Sequence, residues 1–304
     1  MKILVFTEKP FAAAAVKAIE EVIVSSGNEM NLVEGGTRAD LLEAVKTADG
    51  LIVRSDKIDG EVMDAAPALK VIVRAGAGYD NIDLEAATNH GICVMNTPGQ
   101  NSNAVAELVF GMAVMMCRNQ YNGKSGTELK GKRLGIYAFG QVGRNVARIA
   151  KGFGMEIEAL DKFVPDAAME EAGVKPVHAP EELFTNDFVS LHIPATAETK
   201  NSIGYDLAMK MPKNGVLINT ARKEVIDEAG LIKALEERQD LKYISDIKPD
   251  AAEEFESKFG SRVFFTPKKM GAQTAEANYN AGVAAAKQAI GFLVDGNNRF
   301  QVNK

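Results

Sequence analysis

The residues whose types and spacing most clearly suggest chemistry lie in Ala138-Phe139-Gly140-Gln141-Val142-Gly143, where the β-rich run RLGIYAF (133–139) turns into the helical pattern RNVARIAKGF. Turns of the form GxGxxG fold a strand tightly into a helix and bring bare backbone up to a pyrophosphate at the positive helix N-terminus. Ala138 stands where the first glycine is usual. Glycine-rich strand-to-helix turns also serve packing alone, so the loop gains meaning from its context. A second β-rich run ends in Asp161, about 20 residues on, where a carboxylate accepts a hydrogen bond from a ribose 2′-hydroxyl and repels a 2′-phosphate. Gly140, Gln141, Val142, Gly143 and Asp161 are therefore candidate dinucleotide-binding residues, with NAD favoured over NADP. Lys162, beside Asp161, works against that preference.

The elements that must position this loop alternate regularly. KILVFT (2–7), NLVE, GLIVRS, VIVRA and ICVMN (92–96) read as strands separated by helical patterns, the signature of βαβ units on a parallel sheet. Thr97-Pro98-Gly99 interrupts the series as a hinge, and a long helix is expected over about 102–118. A second series runs through RLGIYAF, MEIEAL, DFVSLHI, GVLINTA, KYISDI and VFFTP. The last helical pattern, about 275–293, has no strand after it and is expected to cross back to the first domain. The fold class is α/β: two doubly wound parallel-sheet domains, the second Rossmann-type and inserted into the first. The expected boundaries are 1–97 plus 280–304 for a discontinuous, flavodoxin-like domain, and 98–279 for the NAD-binding domain.

Composition narrows the function classes. The 304 residues carry a formal net charge of -6, which gives no general attraction to nucleic acid or anionic membrane and favours a small-molecule partner. Cys93 and Cys117 are the only cysteines, both in apolar stretches, which argues against a disulfide framework and fits a reducing compartment. Glu8 comes too early for a signal peptide, and no apolar run reaches the roughly 18 residues that span a bilayer. A soluble, cytoplasmic protein is expected, with no metal site.

Five segments together, VRAGAGYDNIDLEAA (73–87), NTPGQNSNAVAELVFGM (96–112), ELKGKRLGIYAFGQVGRNVARIAKGFGM (128–155), VSLHIPATAETK (189–200) and INTARKEVIDE (218–228), resemble the D-isomer-specific 2-hydroxyacid dehydrogenases over nearly the whole chain. Val53-Arg54-Ser55-Asp56 ahead of VRAGAGYDN makes it most similar to the short D-3-phosphoglycerate dehydrogenases in that family. The resemblance implies NAD-dependent oxidation of 3-phosphoglycerate to 3-phosphohydroxypyruvate in serine biosynthesis. It also implies an active site in an interdomain cleft and a homodimer that uses the long helix after the hinge. Arg222 matches the arginine that grips the substrate carboxylate, a task suited to a fixed charged fork. By the same analogy Arg54, Ser55 and Arg74 lie where a 3-phosphate would be met. Backbone N–H groups of Ala75-Gly76-Ala77-Gly78 offer a nest for the carboxylate. For the cofactor the resemblance adds Asn101, Pro194, Thr199, Thr220, Ala221, Arg222 and Gly271, with Asp246 toward the nicotinamide amide.

One departure matters for the chemistry. The family histidine that takes the hydroxyl proton is missing, for the only histidines are His90, His178 and His192, and the matching segment reads Thr266-Pro267-Lys268-Lys269-Met270-Gly271-Ala272. Counting from Gly271-Ala272 puts Lys269 at the histidine position; counting from Thr266-Pro267 puts Lys268 there. Lys269 is preferred. A lysine has an unperturbed pKa of about 10.4, so burial or neighbouring positive charge has to lower it before it serves as a base. The glutamate partner is missing as well, Ala251 standing at its expected place, and lysine needs none to select a tautomer. Competing readings are a reductase of another 2-keto acid, glyoxylate or hydroxypyruvate, and a non-catalytic NAD-responsive binding protein, against which the retained Arg222 argues. The chain leaves no room for an appended regulatory domain, so feedback by serine through one is not expected. If Asp161 occupies the space of a 2′-phosphate, NAD should be used much better than NADP in a coupled absorbance assay; equal use would remove Asp161 from the site.

Overall fold

The computed structural model describes residues 1–303. Two compact units divide the chain: Met1–Asn101 together with the chain from Gln273 onward, and Ser102–Ala272. The division falls where the helices Ser102–Cys117 and Ala275–Asp295 start, a few residues from the boundaries expected at the Thr97-Pro98-Gly99 turn and at residue 280.

In the first unit, β1 (Lys2–Thr7), β2 (Glu29–Glu34), β3 (Gly50–Val53), β4 (Val71–Arg74) and β5 (Cys93–Asn96) form a sheet ordered β2-β1-β3-β4-β5, with every neighbouring pair parallel. This is the flavodoxin-like order, with its topological switch between β1 and β3. Helices cover both faces, which is why β3 is buried end to end and reads as an unbroken apolar run. Ala281, Ala285, Ala286 and Ala289 of helix Ala275–Asp295 pack into the cluster that holds Ile19 and Ile23 of helix Ala13–Ser25. Their contact is close enough that a Cβ on Gly282 would lie 2.7 Å from Ile19 Cδ1.

The second unit builds a seven-stranded parallel sheet from β6 (Arg133–Tyr137), β7 (Glu156–Leu160), β8 (Lys175–Pro176), β9 (Phe188–Leu191), β10 (Val216–Asn219), β11 (Lys242–Ser245) and β12 (Val263–Phe265). The order β12-β11-β10-β9-β6-β7-β8 is the Rossmann order with one further strand beyond the sixth. β8, with Pro176, takes an edge, where a missing N–H does no harm. Apolar clusters fill both faces, one around Tyr243, Phe255 and Phe265, the other around Phe139, Val146 and Ile157. Both sheets match the fold class expected from the alternating pattern. Among the described residues no helix is long and apolar enough to cross a membrane.

Candidate active site

At the switch point of the second sheet, β6 passes through Ala138-Phe139-Gly140 into the helix Gln141–Gly152. Ala138 takes φ +78°, the left-handed backbone that the usual glycine would supply, while its N–H donates to Leu160 O at 2.8 Å. Gly143 is required by contact: a Cβ there would fall 2.3 Å from Ala138 O. Gly140, by contrast, meets nothing within 4 Å, so its missing side chain leaves open space in front of the helix N-terminus. That helix has neither an acidic residue in its first turn nor a side-chain cap, and its leading N–H groups are available to an anion. Asp161 Oδ2 accepts from Phe139 N at 2.7 Å, while Oδ1 accepts from Phe163 N at 2.8 Å and Val164 N at 3.2 Å. The carboxylate thus fixes the loop first and retains lone pairs for a ribose hydroxyl. Lys162 is paired with Glu198. The residues present fit an NAD pyrophosphate and ribose.

The remaining candidates of this unit follow the ends of neighbouring strands. Thr199 Oγ1 donates to Pro194 O at 2.5 Å and accepts from Thr196 N at 2.8 Å, which closes the turn after β9. His192 stands just past β9, its Nε2 3.0 Å from Ser190 Oγ and its Nδ1 3.3 Å from Thr220 Oγ1. Burial pushes its pKa down to about 3, so the ring is neutral at physiological pH. Past β10, the buried Asn219 accepts from Ala221 N at 2.9 Å and donates to Arg222 O at 3.0 Å, which fixes the turn that carries Thr220, Ala221 and Arg222. Arg222 Nη1 donates to Ala221 O at 2.9 Å, which leaves most of its fork available.

Asp246 follows β11. Its carboxylate is fully buried and accepts from Thr266 Oγ1, Met270 N and Gly271 N. Lys268 and Lys269 occupy the loop it holds, and both are exposed.

In the first unit, Arg54 follows β3 and Arg74 ends β4. Arg54 was expected to meet a phosphate, yet it already braces the segment after β1: Nη1 donates to Lys9 O and Pro10 O at 2.9 and 2.8 Å, Nη2 donates to Asn278 Oδ1 at 2.8 Å, and the guanidinium lies over the Phe11 ring. Two of its five N–H donors remain. Arg74 Nε donates to Arg54 O at 2.9 Å, and its guanidinium lies across Gly76, where a Cβ would fall 1.4 Å from Nη1. The nest is also smaller than expected. Ala75 N and Gly76 N donate to Val53 O and Arg74 O, which leaves Ala77 and Gly78 as donors. Ser55 is exposed, and Asn101 is the last residue before the chain passes into the second unit.

Residues 103–267 match the family described as D-isomer specific 2-hydroxyacid dehydrogenase, NAD binding domain. The chain belongs to the D-isomer specific 2-hydroxyacid dehydrogenases. It is 39% identical over 308 residues to D-3-phosphoglycerate dehydrogenase of Methanocaldococcus jannaschii, covering 95% of this chain and 56% of that one. Glyoxylate reductase of Thermococcus litoralis is 40% identical over 221 residues, 66% of this chain and 67% of its own. A crystal structure of NAD+-bound 3-phosphoglycerate dehydrogenase from Entamoeba histolytica superposes with a TM-score of 0.88 at 50% identity, covering 100% of this chain and 99% of that chain. The chain spans about half the length of the D-3-phosphoglycerate dehydrogenase from Methanocaldococcus jannaschii. Its cofactor is NAD, in keeping with the family and with the open helix N-terminus beside Asp161.

Sequence reasoning missed Asn219 and Thr266, whose only signal is a polar residue closing a buried apolar strand. The left-handed strain at Ala138 gives a test. That conformation costs roughly 1–2 kcal/mol, and a glycine there adds about 0.4–1 kcal/mol of unfolded-state entropy, so Ala138→Gly should stabilise the protein by about 0.5–1 kcal/mol in urea unfolding. Gly143→Ala should instead weaken NADH binding about tenfold or more by fluorescence titration, because the helix must move off the loop. No loss of binding would show that the loop does not hold the pyrophosphate.

Proposed function

We propose that this dehydrogenase oxidises D-3-phosphoglycerate to 3-phosphohydroxypyruvate with NAD, a step toward serine. The observation that carries the reading is the 50% identity, over essentially the full length of both chains, to the Entamoeba histolytica enzyme of that name. Bound NAD would take the hydride from C2. Arg222 pairs with the substrate carboxylate through its fork and polarises the carbonyl as it forms. Lys269, as the free amine, takes the hydroxyl proton at Nζ and returns it in the reverse direction. The remaining donors of Arg54, with Arg74, hold the phosphate, each contact worth about 1.5–3 kcal/mol. Ala77 and Gly78 offer their N–H groups to the carboxylate.

Two unpaired, buried thiols, Cys93 and Cys117, support assigning the enzyme to the cytoplasm. A homodimer built on helix Ser102–Cys117, which leaves Asn103, Glu107 and Gly111 exposed along one stripe, completes the reading. A second reading, reduction of glyoxylate, is favoured by the 40% identity to the Thermococcus litoralis enzyme, over a smaller share of the chain.

NADH absorbance with 3-phosphoglycerate, D-glycerate and glyoxylate separates the two. The phosphorylated substrate should be preferred, and Arg54→Ala should weaken it by about 10-fold or more while changing D-glycerate turnover little. Equal losses on both would assign Arg54 to bracing Lys9, Pro10 and Asn278 alone. Preference for glyoxylate would overturn the phosphoglycerate reading.

A further inference from the structure

The loop that carries the two lysines is held from both ends by one buried carboxylate. Asp246 lies just past β11 and is fully buried. Its Oδ1 accepts the Thr266 hydroxyl at 3.0 Å and Met270 N–H at 2.6 Å, and its Oδ2 accepts Gly271 N–H at 2.8 Å. Thr266, just past β12, is fixed in turn because its N–H donates to Ser245 O at 3.1 Å. Pro267, Lys268 and Lys269 lie between these anchored points, all three exposed. The loop can close this tightly only with glycine at 271, where a Cβ would sit 2.9 Å from Asp246 Oδ2 and 3.1 Å from Val105 Cγ2.

We propose that Thr266 and Asp246 are positioning residues for proton transfer, a clamp that sets where Lys269 presents its amine. The asymmetry of the anchoring selects between the lysines. Met270 N–H is held by the carboxylate, and the planar peptide before it carries the Lys269 carbonyl and Cα, so Lys269 is anchored directly while Lys268 stands one residue further away. A buried carboxylate needs each of its donors, since an unmet acceptor in the interior is costly. Removing the Thr266 hydroxyl therefore loosens the loop without touching either lysine. The clamp rests on the reading of Lys269 as the base.

The experiment is a cycle of kcat and KM values for 3-phosphoglycerate oxidation in the full-length chain. Lys269→Ala should lower kcat by about 10²–10⁴-fold. Thr266→Val should lower it by about 10- to 10²-fold with KM for NAD nearly unchanged, the cost of a misplaced group, and Thr266→Ser should restore it. Combined with Lys269→Ala, Thr266→Val should cause no further loss. Ethylamine added to rescue Lys269→Ala should act equally well with or without Thr266→Val, because a diffusing amine needs no clamp. Gly271→Ala, which pushes on the same carboxylate, should reproduce the loss of kcat and its absence in the Lys269→Ala background, and serves if Thr266→Val does not fold. Equal losses from Thr266→Val in both backgrounds, or a loss confined to KM for NAD, would overturn the clamp. An inactive Lys269→Ala beside fully active Thr266→Val and Gly271→Ala would overturn the clamp alone. A fully active Lys269→Ala would overturn the base assignment and the clamp with it.

Discussion

A wholly parallel sheet ends all its strands on one edge, because each crossover must carry the chain back before the next strand begins. In the second unit that constraint gathers the candidate residues. Ala138, Asp161, His192, Thr220, Asp246 and Thr266 are each the first residue past a strand, β6, β7, β9, β10, β11 and β12 in turn. In the first unit Arg54 follows β3 and Ala75 follows β4, with Arg74 the last residue of β4 itself. The strands are buried and apolar, so polar function can enter only where they stop.

Polar groups at such an edge also serve the fold. Asp161 ties the NAD loop to the turn after β7, Asn219 fixes the turn beneath Arg222, and Asp246 holds the lysine loop. Each accepts hydrogen bonds from loop backbone, and for the two aspartates a hydrogen bond to a charged group is worth about 1.5–3 kcal/mol. The same geometry keeps His192 neutral: burial among strand ends makes its charged form expensive, so the one histidine near the NAD loop is unsuited to picking up a proton near neutrality.

Strands, their alternation with helices and the return of the last helix could be read directly, because βαβ periodicity and apolar runs are local properties of the chain. The tight turn from β6 into the helix Gln141–Gly152 was legible for the same reason. What a carboxylate binds was not. Asp246 and Asp161 look alike in sequence, each closing a strand, yet one is fully buried and committed to its own loop while the other keeps partial exposure. Arg54 likewise reads as an open cation, and only the fold brings Lys9, Pro10 and Asn278 to it, the last from 224 positions away. The left-handed backbone at Ala138, Gln120 and Tyr121 was equally hidden, since those residue types do not call for it.

The central claim is the proposal that Lys269 moves the proton. The pH dependence of kcat for NAD reduction by 3-phosphoglycerate, from about pH 5 to about pH 10, tests it most directly. The account predicts oxidation that rises through a limb above neutrality and reduction that falls over the same interval, since only the free amine accepts the proton and only the ammonium returns it. A limb near 6.5 that survives in Lys269→Ala and disappears in His192→Ala would contradict it.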